Sequence, residues 1–442
     1  MTTIDDLAGR ILEESRAPVT RLNLSLLDIA ASLLAGSATS EAKPLAAHLA
    51  GDAWSASIPD RVALAVAMTR LSEVDDIHMA SCTTPGSVVV PTALLVGAHA
   101  EPDARAFVRA LLAGYRVMMR LGRGVDGPRI LYRGIWPTYL LAPVGAAATT
   151  AVLLGGGQAE LAKAIAMALN LSSGGAGGHV SGVSPRWMLA GLAAANGVRA
   201  ARAACEGFSP DLGLLDGGWL EKVHGLPFDP ARALADDGCD LGDLSMKPVC
   251  AAKQTIAALD AFRTLLARGI DPEKIESIRI GVPNDYVAMI SGRGGVASRL
   301  GRMTSIAYHC ALAAFEPDLL TDVERVDRTG DPRIAALMSK VEVVHDPQLD
   351  HCFPERWPAR VTIVADGKTE SLEIVDALGD PGRPLEGAAF EAKFMALAAP
   401  VITQTGAQRL FVTGLGALFD TANLAAFRKQ LFHAIPALNM TK

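Results

Sequence analysis

Residues 247–261 read KPVCAAKQTIAALDA. A lysine directly before a proline opens the stretch, and a helix with an apolar face follows. The chain has a different character on either side of it. Upstream, the first 245 residues read mostly as helices. TRLNLSLLDIAASLLA (20–35), ARAFVRALLAGYRVMMRL (104–121) and 159–170 all place apolar residues at helical spacing, with Gly and Pro between them. Downstream, beyond about residue 270, IESIRIGVP (275–283) alternates apolar and polar residues as a half-buried strand does. RVTIVADGKTESLEIV (360–375) predicts a hairpin turning at Asp366-Gly367. Between them, 303–315 and 331–340 read as helices, and from about 400 the chain is helical again.

The pattern predicts a mainly α protein. A large all-helical domain is built from N- and C-terminal segments, 1–268 and 401–442, around a smaller inserted α/β domain, 269–400. Half of the 442 residues are apolar, enough to bury a large core. Charged residues make up 20%, the net charge is −6, and no Lys/Arg block occurs, which argues against nucleic-acid binding. Aromatic residues are only 5% while Ala and Gly are abundant, a composition suited to closely packed helices.

Three stretches, 79–100, 134–159 and 164–185, lack Asp, Glu, Lys and Arg over about a bilayer's span. Pro or Gly and polar residues interrupt each, so they read as buried helices and no membrane partner is expected. The N-terminal residues MTTIDDLAGRILEES carry acids at once, without the pattern of a signal peptide. The six cysteines (82, 205, 239, 250, 310, 352) are scattered without C-x-x-C spacing. A reducing cytoplasm is the expected location, with neither a metal site nor a disulfide framework. The glycine runs 155–157 and 174–178 fit neither phosphate-loop pattern and read as turns or tight helix packing.

The segment 247–261 resembles K-P-Y-P-C-C-x-x-T-H-x-x-I-D-A of the MmgE/PrpD family, with Asp260 on its aspartate and Lys247 on its lysine. GDPGRPLEGAAFEAKFMALAAPV (379–401), GYRVMMRLGRGVD (114–126) and LAPVGAAATTAVLLG (141–155) resemble further family stretches, in order. That family includes 2-methylcitrate dehydratases, cis-aconitate decarboxylase and iminodisuccinate epimerase. The resemblance implies a large helical domain, a smaller α/β lid, a homodimer, and cofactor-independent chemistry on a small carboxylate. The expected site lies between the two domains.

The resemblance also points to site residues. Glu73-Val-Asp75-Asp76-Ile-His78 and Thr83-Thr84-Pro85-Gly86 look like D-F-D-D-T-H and T-H-P-G, with Glu73 on a family active-site aspartate and Thr84 on a histidine. Three carboxylates and an imidazole within six residues should perturb one another's pKa values, unless they are a solvated helix end with acids as caps. Glu73, Asp76 and His78 are all candidate bases, and the sequence does not rank them. RGIWPTY (133–139) places Trp136 on a second histidine, and SPRWMLAG (184–191) places Arg186 on a lysine and Leu189 on a third histidine. Ile256 takes the place of a fourth.

Lys247 and Arg186 are expected to bind substrate carboxylates, with Thr84 and Trp136 also against the substrate. SIAYHCALAAF (305–315) resembles the segment that brings a family tyrosine to the pocket, making Tyr308 the candidate acid, while His309 should face elsewhere. Arg293, Arg299 and Arg302 precede it, either as carboxylate ligands or as a solvated basic loop. Cys250 reads as a buried thiol.

The first expectation is a dehydratase-type lyase acting on a di- or tricarboxylate. An isomerase or epimerase using a single base is the second. A non-catalytic binding or scaffold protein is the alternative from another class.

Overall fold

The computed structural model describes residues 1–13, 19–50, 57–174, 186–236, 241–292 and 295–439. The protein is mainly α. It divides into two compact units, the first drawing on Met1–Gly177, Ser184–Leu244 and Phe394–Lys442, the second on Ser245–Lys393.

In the first unit the helix Pro137–Leu153 is buried along its whole length. It packs against Gly86–Ala100, Ala104–Gly124, Gln158–Asn170 and Arg186–Cys205. The abundance of Ala and Gly has a direct steric reason here. A Cβ on Gly197 would lie 2.0 Å from the carbonyl oxygen of Pro143, and one on Gly191 would lie 2.1 Å from that of Ala63. The helix Arg186–Cys205 therefore meets two neighbours backbone to backbone, which only glycine permits at those points. The charge-free stretches 79–100 and 134–159 supply buried helices, as expected, and 175–185 lies outside the described residues. Among the described residues one helix, Val19–Ser37, is long and apolar enough to cross a membrane, and most of it is buried.

The second unit holds a four-stranded sheet made of β1 (Ile275–Val282), β2 (Val341–His345), β3 (Ala359–Ala365) and β4 (Lys368–Ile374). The strand order is β2-β1-β3-β4. β3 and β4 form the expected hairpin, and Asp366 and Gly367 both have positive φ (50° and 68°), as a turn matched to strand twist requires. Register follows the apolar pattern: Ile278 faces Ile363 and Ile280 faces Val361, all buried. The helix Lys253–Ala267 packs on β3 and β4.

Three features depart from the sequence reading. β2 was not expected, and it runs parallel to β1, so the helices between them form the crossover that parallel pairing demands. The expected helix 303–315 is two, Arg299–Thr304 and Ile306–Phe315, joined at Ser305. The return to helix comes earlier than residue 400, at Gly387–Ile402.

Candidate functional site

In the first unit the site grows from the end of the helix Ile58–Leu71. Its last turn carries Arg70, buried in an otherwise apolar stretch. Beyond it the chain turns sharply through Glu73 at φ 51°, a left-handed conformation costly for a non-glycine residue. That turn brings two carboxylates back onto Arg70. Its Nη1 donates to Asp75 Oδ2, and its Nη2 donates to Glu73 Oε1 at 3.4 Å. Burial opposes the charge on Arg70, but Asp75 and Glu73 outweigh it and hold the pKa above the ordinary value.

Glu73 Oε1 also accepts from the indole Nε1 of Trp187 at 3.4 Å. Beside it, Arg186 is only 2% exposed, and its Cζ sits 4.0 Å from the Trp136 ring centroid. Trp136 in turn stacks on Tyr139, with centroids 5.7 Å apart and planes 20° apart. Burial lowers the Arg186 pKa, while Tyr139 and Glu73 pull it back up. Burial likewise raises the Tyr139 pKa, against the pull of Arg70 and Arg186. Glu73, Arg70, Asp75, Trp136, Tyr139, Arg186 and Trp187 thus form one cluster of balanced formal charge.

Asp76 and His78 take other directions, so the acid-rich segment is not one cluster. Nor is it a solvated helix end, because Asp75, Asp76 and His78 are buried. Asp76 accepts from the backbone N–H of Gly86 at 3.0 Å, at the start of the helix Gly86–Ala100, and from the Tyr115 hydroxyl at 3.1 Å. Burial, then the nearby Asp75 and Asp28, push its pKa up to about 8, against the two hydrogen bonds. Asp76 therefore holds its proton at neutral pH. His78 Nδ1 lies 2.8 Å from Ser81 Oγ, which lies 2.7 Å from Thr83 Oγ1. Thr84 ties this loop to the start of the Pro137–Leu153 helix, its N–H donating to Thr138 Oγ1 at 3.0 Å.

In the second unit the stretch that opens at Lys247 is woven into the segment 376–383. Met246 N–H donates to Gly379 O at 2.9 Å, and Gly379 holds φ 94° where a Cβ would lie 1.9 Å from Met246 O. Lys253 and Asp380 form a buried ion pair at 2.9 Å. Asp260 Oδ2 accepts from Leu378 N–H at 3.0 Å and from Arg383 Nη1 at 2.7 Å. The two most recognisable sequence stretches thus hold each other in place. Lys247 is buried, and so is the Cys250 thiol.

Tyr308 donates from its hydroxyl to Val326 O at 2.5 Å and accepts from Arg328 N–H at 3.1 Å. Burial raises its pKa, and the Arg328 N–H opposes the rise. Arg299 and Arg302 are not a solvated loop. Both are buried in the helix Arg299–Thr304 and donate to backbone carbonyls: Arg299 to Val323 at 2.8 Å, Arg302 to Arg325 at 2.6 Å and to Val296 and Ala297 at 2.8 Å. Arg293 lies outside the described residues. His309 is fully buried, and burial together with Arg325 holds its pKa well below the ordinary value. Among the described residues no three His, Cys, Asp or Glu side chains come together in a way that could hold a metal ion.

The MmgE/PrpD N-terminal domain profile matches residues 13–223, and the MmgE/PrpD C-terminal domain profile matches residues 248–415. The chain belongs to the MmgE/PrpD family. No curated protein matches it. The four residues that the sequence resemblance sets on family histidines have separate fates. Thr84 joins a hydroxyl network, Trp136 carries Arg186, Leu189 is 36% exposed, and Ile256 is buried.

The sequence reading missed Arg70, Tyr139 and Trp187. Arg70 had a visible signal, as the cation three residues before Glu73 at the end of an apolar helix. The indole contact of Trp187 had none, because its partner is 114 residues away.

Proposed function

We propose that this MmgE/PrpD protein is a cofactor-independent lyase of the dehydratase type, acting next to a carboxylate of a small di- or tricarboxylate. The observation that carries the reading is the placement of Glu73 and Arg186 about the indoles of Trp136 and Trp187, near enough for the carboxylate to act on the cation's charge. Of the three candidate bases, Glu73 alone shares its surroundings with a buried cation able to hold a substrate carboxylate. Asp76 carries a proton at neutral pH, and His78 is turned toward Ser81.

In this reading Arg186 binds the carboxylate next to the reacting carbon and stabilises the charge that develops as Glu73 takes the α-proton. The electron pair left on carbon forms the double bond as the β-hydroxyl takes up the proton that Glu73 removed and departs as water. Lys247, which the sequence resemblance sets on the family's lysine, is proposed as a further substrate-binding cation. Homodimer formation is a separate proposal, to be checked by sedimentation velocity.

An isomerase or epimerase is the second reading. It is favoured by the replacement of four proton-carrying positions with Thr84, Trp136, Leu189 and Ile256, because removing and returning one proton needs a single base. Proton NMR in D2O with citrate, 2-methylcitrate, cis-aconitate and amino-dicarboxylates separates the two. New vinyl signals mean elimination, loss of an α-proton signal alone means exchange, and Lys247→Ala should diminish either. No change with any compound would favour a binding or scaffold role.

A further inference from the structure

Arg186 combines three properties that ordinary packing does not explain. It is nine-tenths buried, its guanidinium lies over an indole, and its Nε and Nη2 have no hydrogen-bond partner among the described residues. Buried polar atoms are nearly always paired, because an unmade hydrogen bond to a buried charged group is costly. The two unpartnered nitrogens are also a particular pair. Nε–H and one Nη2–H point from the same edge of the guanidinium, and their spacing matches the two oxygens of a carboxylate.

The surroundings show why that edge stays open. The indole of Trp136, 4.0 Å away, attracts the cation through its ring face and accepts no hydrogen bond from it. Trp136 is itself held by Tyr139, stacked at 5.7 Å. The Trp187 ring lies 6.0 Å from the same cation, and its N–H is committed to Glu73. Glu73 attracts Arg186 electrostatically, yet its Oε1 accepts from Arg70 and Trp187. The charge is thus stabilised by faces and by field, and the donor edge is left unused. Trp136 and Glu73 are each only partly buried, so the cluster reaches the surface.

We propose that Trp136 is a positioning residue. It seats the Arg186 guanidinium so that the Nε–Nη2 edge takes one planar carboxylate of the substrate through two parallel hydrogen bonds. This rests on the functional reading above, in which Arg186 binds a substrate carboxylate, and adds how that carboxylate is held: by a two-bond fork that the indole keeps in place. It also gives the position of a family histidine a binding role in place of a proton-carrying one. A lysine in place of Arg186 would offer a point charge without the fork.

The test is calorimetric titration of the full chain with succinate and cis-aconitate. Wild type is compared with Arg186→Lys, Trp136→Leu and Trp136→Phe, and α-proton exchange in D2O is followed on the same preparations. Wild type should bind both carboxylates. Arg186→Lys keeps the charge but loses the fork, and should weaken carboxylate binding at least about tenfold. Trp136→Leu should weaken it about three- to thirtyfold, and Trp136→Phe should restore it to within about threefold of wild type.

Equal carboxylate affinity in wild type and Arg186→Lys would overturn the proposal even if the leucine variant failed to fold. So would a wild type that binds neither carboxylate. Exchange that persists while the affinities stay equal would leave the lyase reading standing and remove only the positioning role. Fork-dependent binding without exchange would do the reverse.

Discussion

Asp76→Asn gives the sharpest stability prediction, because the cause of the perturbation is local. The carboxyl is fully buried among Gly86, Tyr115, Asp75 and Asp28, and its pKa is pushed from 3.8 to about 8. A carboxylic acid whose folded pKa is raised binds its proton more tightly in the native state than in the unfolded state. Its contribution is therefore fully present below the unfolded pKa. It is lost as pH rises through the window between the two values, until the native group also ionises. Each pH unit inside the window is worth about 1.4 kcal/mol, so between pH 5 and pH 8 the wild type should lose about 3 to 4 kcal/mol through this group.

The amide cannot ionise. Its oxygen can still accept from Gly86, and its N–H2 can still meet Tyr115, so Asp76→Asn should lack this loss. The assay is urea unfolding of both proteins at several pH values from 5 to 8, read as the difference between them so that all other titrations cancel. The variant should gain on the wild type steadily as pH rises. Parallel profiles across that range would refute the reasoning, and would mean that Asp76 is charged in the native protein.

The structure yields two further stability predictions. Lys253→Ala leaves Asp380 buried and unpaired, and should cost about 3–5 kcal/mol, read as a lowered unfolding midpoint. Lys253→Met combined with Asp380→Asn removes both charges and should recover much of that loss, since the amide can still accept from Ala377 N–H. Gly379→Ala places a methyl group 1.9 Å from Met246 O at φ 94°, and should destabilise by at least about 1–3 kcal/mol, visible as a lower melting temperature.

What could be read from the sequence depended on how local each signal was. The hairpin turning at Asp366-Gly367 was legible because two alternating runs flank a dipeptide that tolerates positive φ. β2 was not, because VEVVH is short and its pairing with β1 lies across a long crossover. In the site, proximity along the chain misled. Glu73, Asp76 and His78 lie within six residues, yet the left-handed turn at Glu73 and the extended backbone at Ile77–His78 send the three side chains to different partners. Trp136 and Arg186 show the opposite case. Fifty positions apart, they were each singled out by family resemblance, but neither spacing nor composition could reveal that one lies on the other. The interlock of 246–260 with 376–383 was likewise invisible, although both stretches stood out, because its contacts run between side chains and distant backbone.

The central claim is that Glu73 removes a proton from carbon next to a carboxylate. It is tested most directly by the rate of α-proton loss in D2O, measured by proton NMR for the wild type and for Glu73→Gln, with the dicarboxylate or tricarboxylate that the wild type turns over fastest. Loss of a general base of this kind should slow the reaction by about a hundredfold to ten-thousandfold, while substrate binding changes little. A glutamine variant that exchanges protons at the wild-type rate would contradict the account.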